Sequence, residues 1–288
     1  MQKYVGLLVI SIMLIGCSSL PEDSEPVRES YEAAEELYFL GMKQWDQGSY
    51  ESAARDLEAA LYKFAALDAR AEVVNAALSM GKSVLAVDDP ERALNIYMTA
   101  LSFAEDLDDP ELIRETANHI ANLFLASNDL DGAEEWLQYG NKIPEQSAIA
   151  AEYYRIMGTL QKRRGKLDES LLLYDKALAI DQQLPEASQI GINYYLKASA
   201  YSLKGDYASS EEALLKALEH DKFFELLPGI ASDLQALGRV LEKQNRSSEA
   251  ALYYARARLA WINIGNEKRA ADLEAVILEL GGASLILN

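Results

Sequence analysis

The chain has a single cysteine, Cys17, among 288 residues. No intramolecular disulfide is possible, so the fold must be held by packing. It has two histidines, His119 and His220. Neither has a second ligand four residues on, and there is no HExxH, which argues against a zinc site. No glycine-rich phosphate loop and no nucleophile with an adjacent base can be found, so no catalysis is expected. Positive charge is scarce: 27 Lys and Arg face 46 Asp and Glu, for a net charge of −19. That balance disfavours nucleic acid and anionic membrane surfaces as general partners. Long apolar runs are also missing. The one candidate, from Tyr4 to Ile15, is too short for a comfortable membrane span. Proline is rare and falls where elements should begin or join, at Pro90, Pro110, Pro144 and Pro185.

What the chain does have is a grid of small residues. Gly41, Gly81, Ala121, Gly158, Ala198 and Gly238 open it. Twelve residues after each stand Ala53, Ala93, Ala133, Ser170, Ser210 and Ala250. Seven residues further come Ala60, Ala100, Gly140, Ala177, Ala217 and Ala257. Small side chains at fixed spacing mark places where backbones approach closely, once per unit of a repeat array. Seven residues after each opening position stand Gly48, Asp88, Asn128, Gly165, Gly205 and Asn245, types that tolerate the left-handed conformation of a helix C-terminus. Ser49, Asp89, Asp129 and Asp206 follow and are suited to cap a next helix. Apolar residues recur at helical spacing on both sides. Each unit therefore reads as a helix, a tight turn and a second, antiparallel helix.

These residues resemble the tetratricopeptide repeat family. The likeness rests on Leu40-Gly41, Gly48-Ser49-Tyr50, Ala53, Leu57 and Ala60-Leu61 in the first unit. In the fifth it rests on Gly205-Asp206-Tyr207, Ser210, Leu214 and Ala217-Leu218, and in the fourth on Met157-Gly158, Gly165, Ser170, Tyr174 and Ala177-Leu178. Lys197 and Arg258 depart from the family pattern, and the third unit departs most. The resemblance implies an all-α, right-handed superhelical solenoid of about six helix pairs over residues 30–265, in repeats starting near 34, 74, 114, 151, 191 and 231. The period is about 40, against a family norm of about 34, which predicts longer helices. Residues 266–288 read as a capping helix and an apolar tail.

The N-terminus is a different object. Lys3, the apolar run and Leu14-Ile15-Gly16-Cys17 resemble a bacterial lipoprotein signal. That resemblance implies removal of residues 1–16 and acylation of Cys17, with no cofactor beyond this covalent lipid. Ser18 after Cys17 then favours the outer membrane, facing the periplasm of a bacterial cell envelope. Residues 17–29, polar and proline-containing, read as a flexible tether.

The family likeness also implies a concave groove lined by the first helix of each pair. By position, its candidate binding residues are Tyr38, Trp45, Asn75, Lys82, Asn118, Asn122, Arg155, Lys162, Arg163, Tyr195 and Arg239. Amides can pair with a peptide backbone, and cations with carboxylates. The middle of the groove, around Asn118, Asn122, Arg155 and Arg163, is thus expected to hold an acidic or C-terminal peptide segment. Tyr38, Trp45 and Tyr195 are candidate aromatic anchors. The implied role is a lipid-anchored adaptor for envelope proteins, supporting assembly of an outer-membrane, secretion or pilus complex. The alternatives are a regulatory adaptor for cell-wall hydrolases or proteases, or a non-exported regulator.

Overall fold

One turn geometry joins nearly all of the elements. The computed structural model describes residues 25–140, 147–184 and 189–286. The expected signal segment, Cys17, Pro144 and Pro185 lie outside these residues. Thirteen α-helices run through the rest: α1 (Glu25–Asp46), α2 (Tyr50–Ala66), α3 (Arg70–Ala86), α4 (Pro90–Asp106), α5 (Pro110–Ala126), α6 (Leu130–Gly140), α7 (Ala148–Arg163), α8 (Leu167–Asp181), α9 (Ile190–Lys204), α10 (Tyr207–Phe223), α11 (Leu227–Lys243), α12 (Ser247–Asn263) and α13 (Glu267–Glu279). A short 3-10 turn, Ala283–Leu285, follows.

Among the described residues, eleven have positive φ, and each ends a helix. The six predicted ones are all among them, with φ between 61° and 80°. At the first, the Gly48 N–H donates to the Trp45 carbonyl and the Ser49 N–H to the Gln44 carbonyl, both at 2.9 Å. This is a Schellman closure, which satisfies the last carbonyls of the helix. The same pair of bonds recurs at Asp68, Asp108, Glu225 and Gly265, in the turns between units. So both kinds of turn are alike, and most helices are 17 residues long, or about 25 Å. The 40-residue period is two such helices with two three-residue turns. Asp89, Asp129 and Asp206 accept backbone N–H bonds as capping residues. Ser49 makes no such side-chain bond.

The helices pack as consecutive antiparallel neighbours; the first small residue of each unit falls in an odd-numbered helix, and the second and third fall in the even-numbered helix that follows. The solenoid of six pairs expected from the sequence is therefore present, and α13 closes it. Ala270, Leu273 and Ile277 of α13 are buried in the last core cluster. Leu285 and Ile286 dock on the same cluster, so this part of the apolar tail is partly buried. Helix α1 begins at Glu25, inside the segment 17–29, because Pro26 falls in its first turn, where its missing N–H breaks no bond. Two departures from the family pattern are also explained. Lys197 pairs with Asp175 at 2.5 Å, and Arg258 pairs with Glu274 of the closing helix at 2.6 Å.

The small-residue grid is a size code in five of the six units; the first is the exception, where Gly41 faces Leu57. The first small residue of each unit faces the residue sixteen positions on. Where it is Gly81, Gly158 or Gly238, that residue is Tyr97, Tyr174 or Tyr254. Where it is Ala121 or Ala198, the residue is Leu137 or Leu214, also buried. A Cβ added at Gly81 would sit 2.2 Å from the Tyr97 ring, which is fully buried. Gly81→Ala should therefore lose about 1–3 kcal/mol to overpacking, against a helix-propensity gain of about 1 kcal/mol. Adding Tyr97→Leu recreates the natural Ala–Leu pairing and should recover most of the loss. Thermal unfolding of the single and double variants checks this.

Candidate functional site: the concave face

Each odd helix from α1 to α11 touches the next odd helix, whereas among the described residues no even helix reaches the next even helix. The odd helices therefore lie on the inner side of the curve. The candidate residues all lie on these helices, but their side chains have different fates.

Asn75, Asn122, Arg163 and Arg239 are exposed, and Lys82 is partly exposed. Arg163 donates to the Leu125 carbonyl, which holds it against the neighbouring odd helix. Tyr38 packs on two core clusters, and its hydroxyl lies 3.4 Å from Ser79 Oγ. Trp45 lies against Tyr50, with ring centroids 4.8 Å apart, on the same core. Both are half-buried, so they are core edges as much as anchors. Tyr38 shares a small hollow with Tyr31, Phe39 and Asn75. There the Tyr31 hydroxyl donates to Glu72 at 2.7 Å, and this pushes its pKa up to about 12.

Of the four residues expected at the centre, Asn122 and Arg163 are exposed, whereas Asn118 and Arg155 are buried. Asn118 is buried and donates to the Ile149 carbonyl at 3.2 Å. Arg155 is 6 % exposed and bound to Asp181 at 2.6 Å and Glu152 at 2.8 Å. Lys162 donates to Ser199 Oγ at 3.1 Å, and burial, with Arg163 nearby, lowers its pKa. Each of these groups is held by a later helix: Asn118 by α7, Arg155 by α8 and Lys162 by α9. Position on the concave side therefore did not mean access to a ligand. His119, stacked on Tyr97, is likewise internal, and burial pushes its pKa down to about 3.

A polar cluster missed in the sequence lies behind this face. Asp181 at the end of α8 accepts from Arg155 of α7 and from Asn193 Nδ2 of α9, both at 2.6 Å. Forty residues on, the equivalent positions hold Asp221, Tyr195 and Asp233. Asp221 and Asp233 are 7 % and 2 % exposed, and Asp233 Oδ2 has no hydrogen-bond partner. They face a cavity of about 440 Å³ between α9, α10 and α11, bounded also by Ile192, Tyr195, Leu226 and Pro228. Burial pushes Asp221 up to about 6, and burial together with Asp221 pushes Asp233 up to about 8. Superimposing the polar residues of successive units, and not only the small ones, would have found this cluster. Tyr195 also borders a second hollow, with Ser199, Ser202 and Arg239.

Among the described residues, no three His, Cys, Asp or Glu side chains gather as metal ligands. Among the same residues, no helix is long and apolar enough to cross a membrane.

The Tetratricopeptide repeat sequence profile matches residues 193–222, which run from α9 to α10. No curated protein matches the sequence. Among solved structures, the chain is similar to BtubC from P. vanneervenii, with 19 % identity and a TM-score of 0.55 over 70 % of this chain and 84 % of that one. It is similar to a signal-transduction ATPase with a tetratricopeptide repeat sensor from Pyrococcus horikoshii, at 17 % identity and a TM-score of 0.66. That match covers 87 % of this chain and 39 % of the other. A Rap protein complexed with Competence and Sporulation Factor is similar at 14 % identity and a TM-score of 0.63, over 87 % and 76 % of the two chains. At these identities the likeness is one of fold, a tetratricopeptide-type solenoid.

Proposed function

We propose that this protein is a non-enzymatic interaction scaffold that holds a protein or peptide segment along its concave face. The observation that carries this reading is the continuous inner wall of six odd helices, which presents Asn75, Lys82, Asn122, Arg163 and Arg239 to solvent. Amides and cations at the end of long side chains suit an extended backbone and its carboxylates. The sign of Lys82, Arg163 and Arg239 is opposite to the net charge of −19, so these three cations favour an acidic segment where they stand. The fold's similarity to a Rap protein solved in a complex supports the same use of the array.

A photo-crosslinking amino acid at Asn122 should capture a partner, whereas one at the exposed Leu172 of α8 should not. Capture only from Leu172 would overturn the assignment of the face.

The finer placement follows from the first seventeen residues. A lipid on Cys17 would hold the scaffold at the envelope membrane, where it would serve assembly of an outer-membrane or secretion complex. Labelling with radioactive palmitate should mark the protein and fail in Cys17→Ala. Equal labelling of both would remove the anchor.

A further inference from the structure

The Asp181 cluster and its equivalent one unit later differ in a consistent way. In the first, a carboxylate meets a guanidinium and an amide that belong to the chain itself, Arg155 and Asn193. In the second, the guanidinium position is Tyr195 and the amide position is a second carboxylate, Asp233. Both changes remove hydrogen-bond donors, and one adds negative charge. Buried carboxylates are ordinarily paired, because an uncompensated one carries a large desolvation cost. Here Asp233 Oδ2 is unpartnered at 2 % exposure. The described residues that line the cavity include no Lys or Arg.

The backbone is adapted to this arrangement. The Asp221 carboxylate lies between Gly191 and Gly229, where an added Cβ would come within 1.9 Å and 1.8 Å of its oxygens. The equivalent residues one unit earlier are Ala151 and Gln189, so these glycines belong to this cluster and not to the repeat. Around the mouth, the α10–α11 turn leaves Phe223 80 % and Leu227 44 % exposed.

We propose that the recess between α9, α10 and α11 binds a guanidinium group, the arginine side chain of a partner peptide, with Asp221 and Asp233 as its carboxylate partners. A planar cation with five donors suits two carboxylates, and its faces suit a ring such as Tyr195. It would supply from outside what Arg155 supplies from within. The exposed apolar turn would receive the residues next to that arginine. The inference rests on the concave face being a peptide-binding surface, and it assigns one end of that face to a basic residue.

The test uses N-acetyl-arginine amide, with N-acetyl-citrulline amide as its neutral isostere, followed by NMR of the backbone amides. The arginine probe should bind with a roughly millimolar dissociation constant, given its size. It should shift Gly191 and Gly229, and citrulline should not. Asp233→Asn, which copies the residue found at Asn193, should keep the fold and weaken binding about tenfold. Tyr195→Arg should fill the recess from within and abolish binding. Equal binding of citrulline, or full binding by either variant, overturns the proposal, as does the absence of any shift with the arginine probe. A basic peptide that shifts these amides no more than the free probe would limit the site to free arginine and overturn the peptide assignment. The two readings fail separately. Loss of Asn122 crosslinking sinks the scaffold reading, whereas intact crosslinking with no arginine effect sinks only the recess.

Discussion

Arg155→Met should be among the most damaging single substitutions in the chain, at a cost of about 3–5 kcal/mol. Its guanidinium is 6 % exposed, and Asp181, its main partner, is 2 % exposed. With the arginine removed, the Asp181 carboxylate stays buried with only Asn193 donating to it, at 2.6 Å. The loss is therefore dominated by a stranded charge, not by the missing attraction. Adding Asp181→Leu should recover part of the loss, because it removes the stranded charge, although the buried Asn193 amide then loses its acceptor. Chemical unfolding of the two variants distinguishes this from simple loss of packing, for which the second substitution would not help. The same logic predicts near-silence at the exposed pair Arg28–Glu32, where the ions remain hydrated.

Asp233→Asn should make the protein more stable at pH 8 and above, and change it little near pH 4. Asp233 titrates at about 8 and Asp221 at about 6, against the ordinary aspartate value of 3.8. Between those limits the folded chain holds protons that the unfolded chain has released. The contribution of these groups to stability is then full below pH 3.8 and is lost as pH rises through 6 and 8. The facing groups are the two carboxylates themselves and His220, which lies against Gly191. Asp206, Glu212 and Glu249 have lowered values and act in the opposite sense, as pH falls. They are fully exposed, and the substitution leaves them unchanged, so the difference between variant and parent isolates the pair. A gain of a few kcal/mol, roughly, follows at alkaline pH. Parallel unfolding curves from pH 4 to 9, with no divergence between the two proteins, would remove the assignment.

The fold was legible because its signals are repeated. Six left-handed turn residues and eighteen small ones agree on one register, so the weak third unit did not obscure it. The similarity of the turns between units was harder to see. Asp68, Asp108 and Glu225 adopt positive φ without being glycine or asparagine. The groove was legible as a set of positions but not as a set of accessible groups. Spacing gives the side of a helix on which Arg155 lies, but whether a partner such as Asp181 reaches it depends on where the following helix ends. Asn118 was misread for the same reason, since its partner is a backbone carbonyl, which leaves no trace in side-chain identity. The acidic recess was visible only as a difference between two units.

The shared turn geometry bears on how such a chain can grow or shrink. Gly48 and Asp68 are twenty residues apart, and the turns they form are alike. The backbone therefore carries no mark of inner or outer helix, and only the side chains do. A duplication or deletion of twenty residues would splice cleanly at the turns. It would nonetheless reverse the parity of every later helix, sending inner-face residues to the outside. A change of forty would preserve parity and add or remove one whole unit. The array is thus free to change length only in even steps of one helix and its turn.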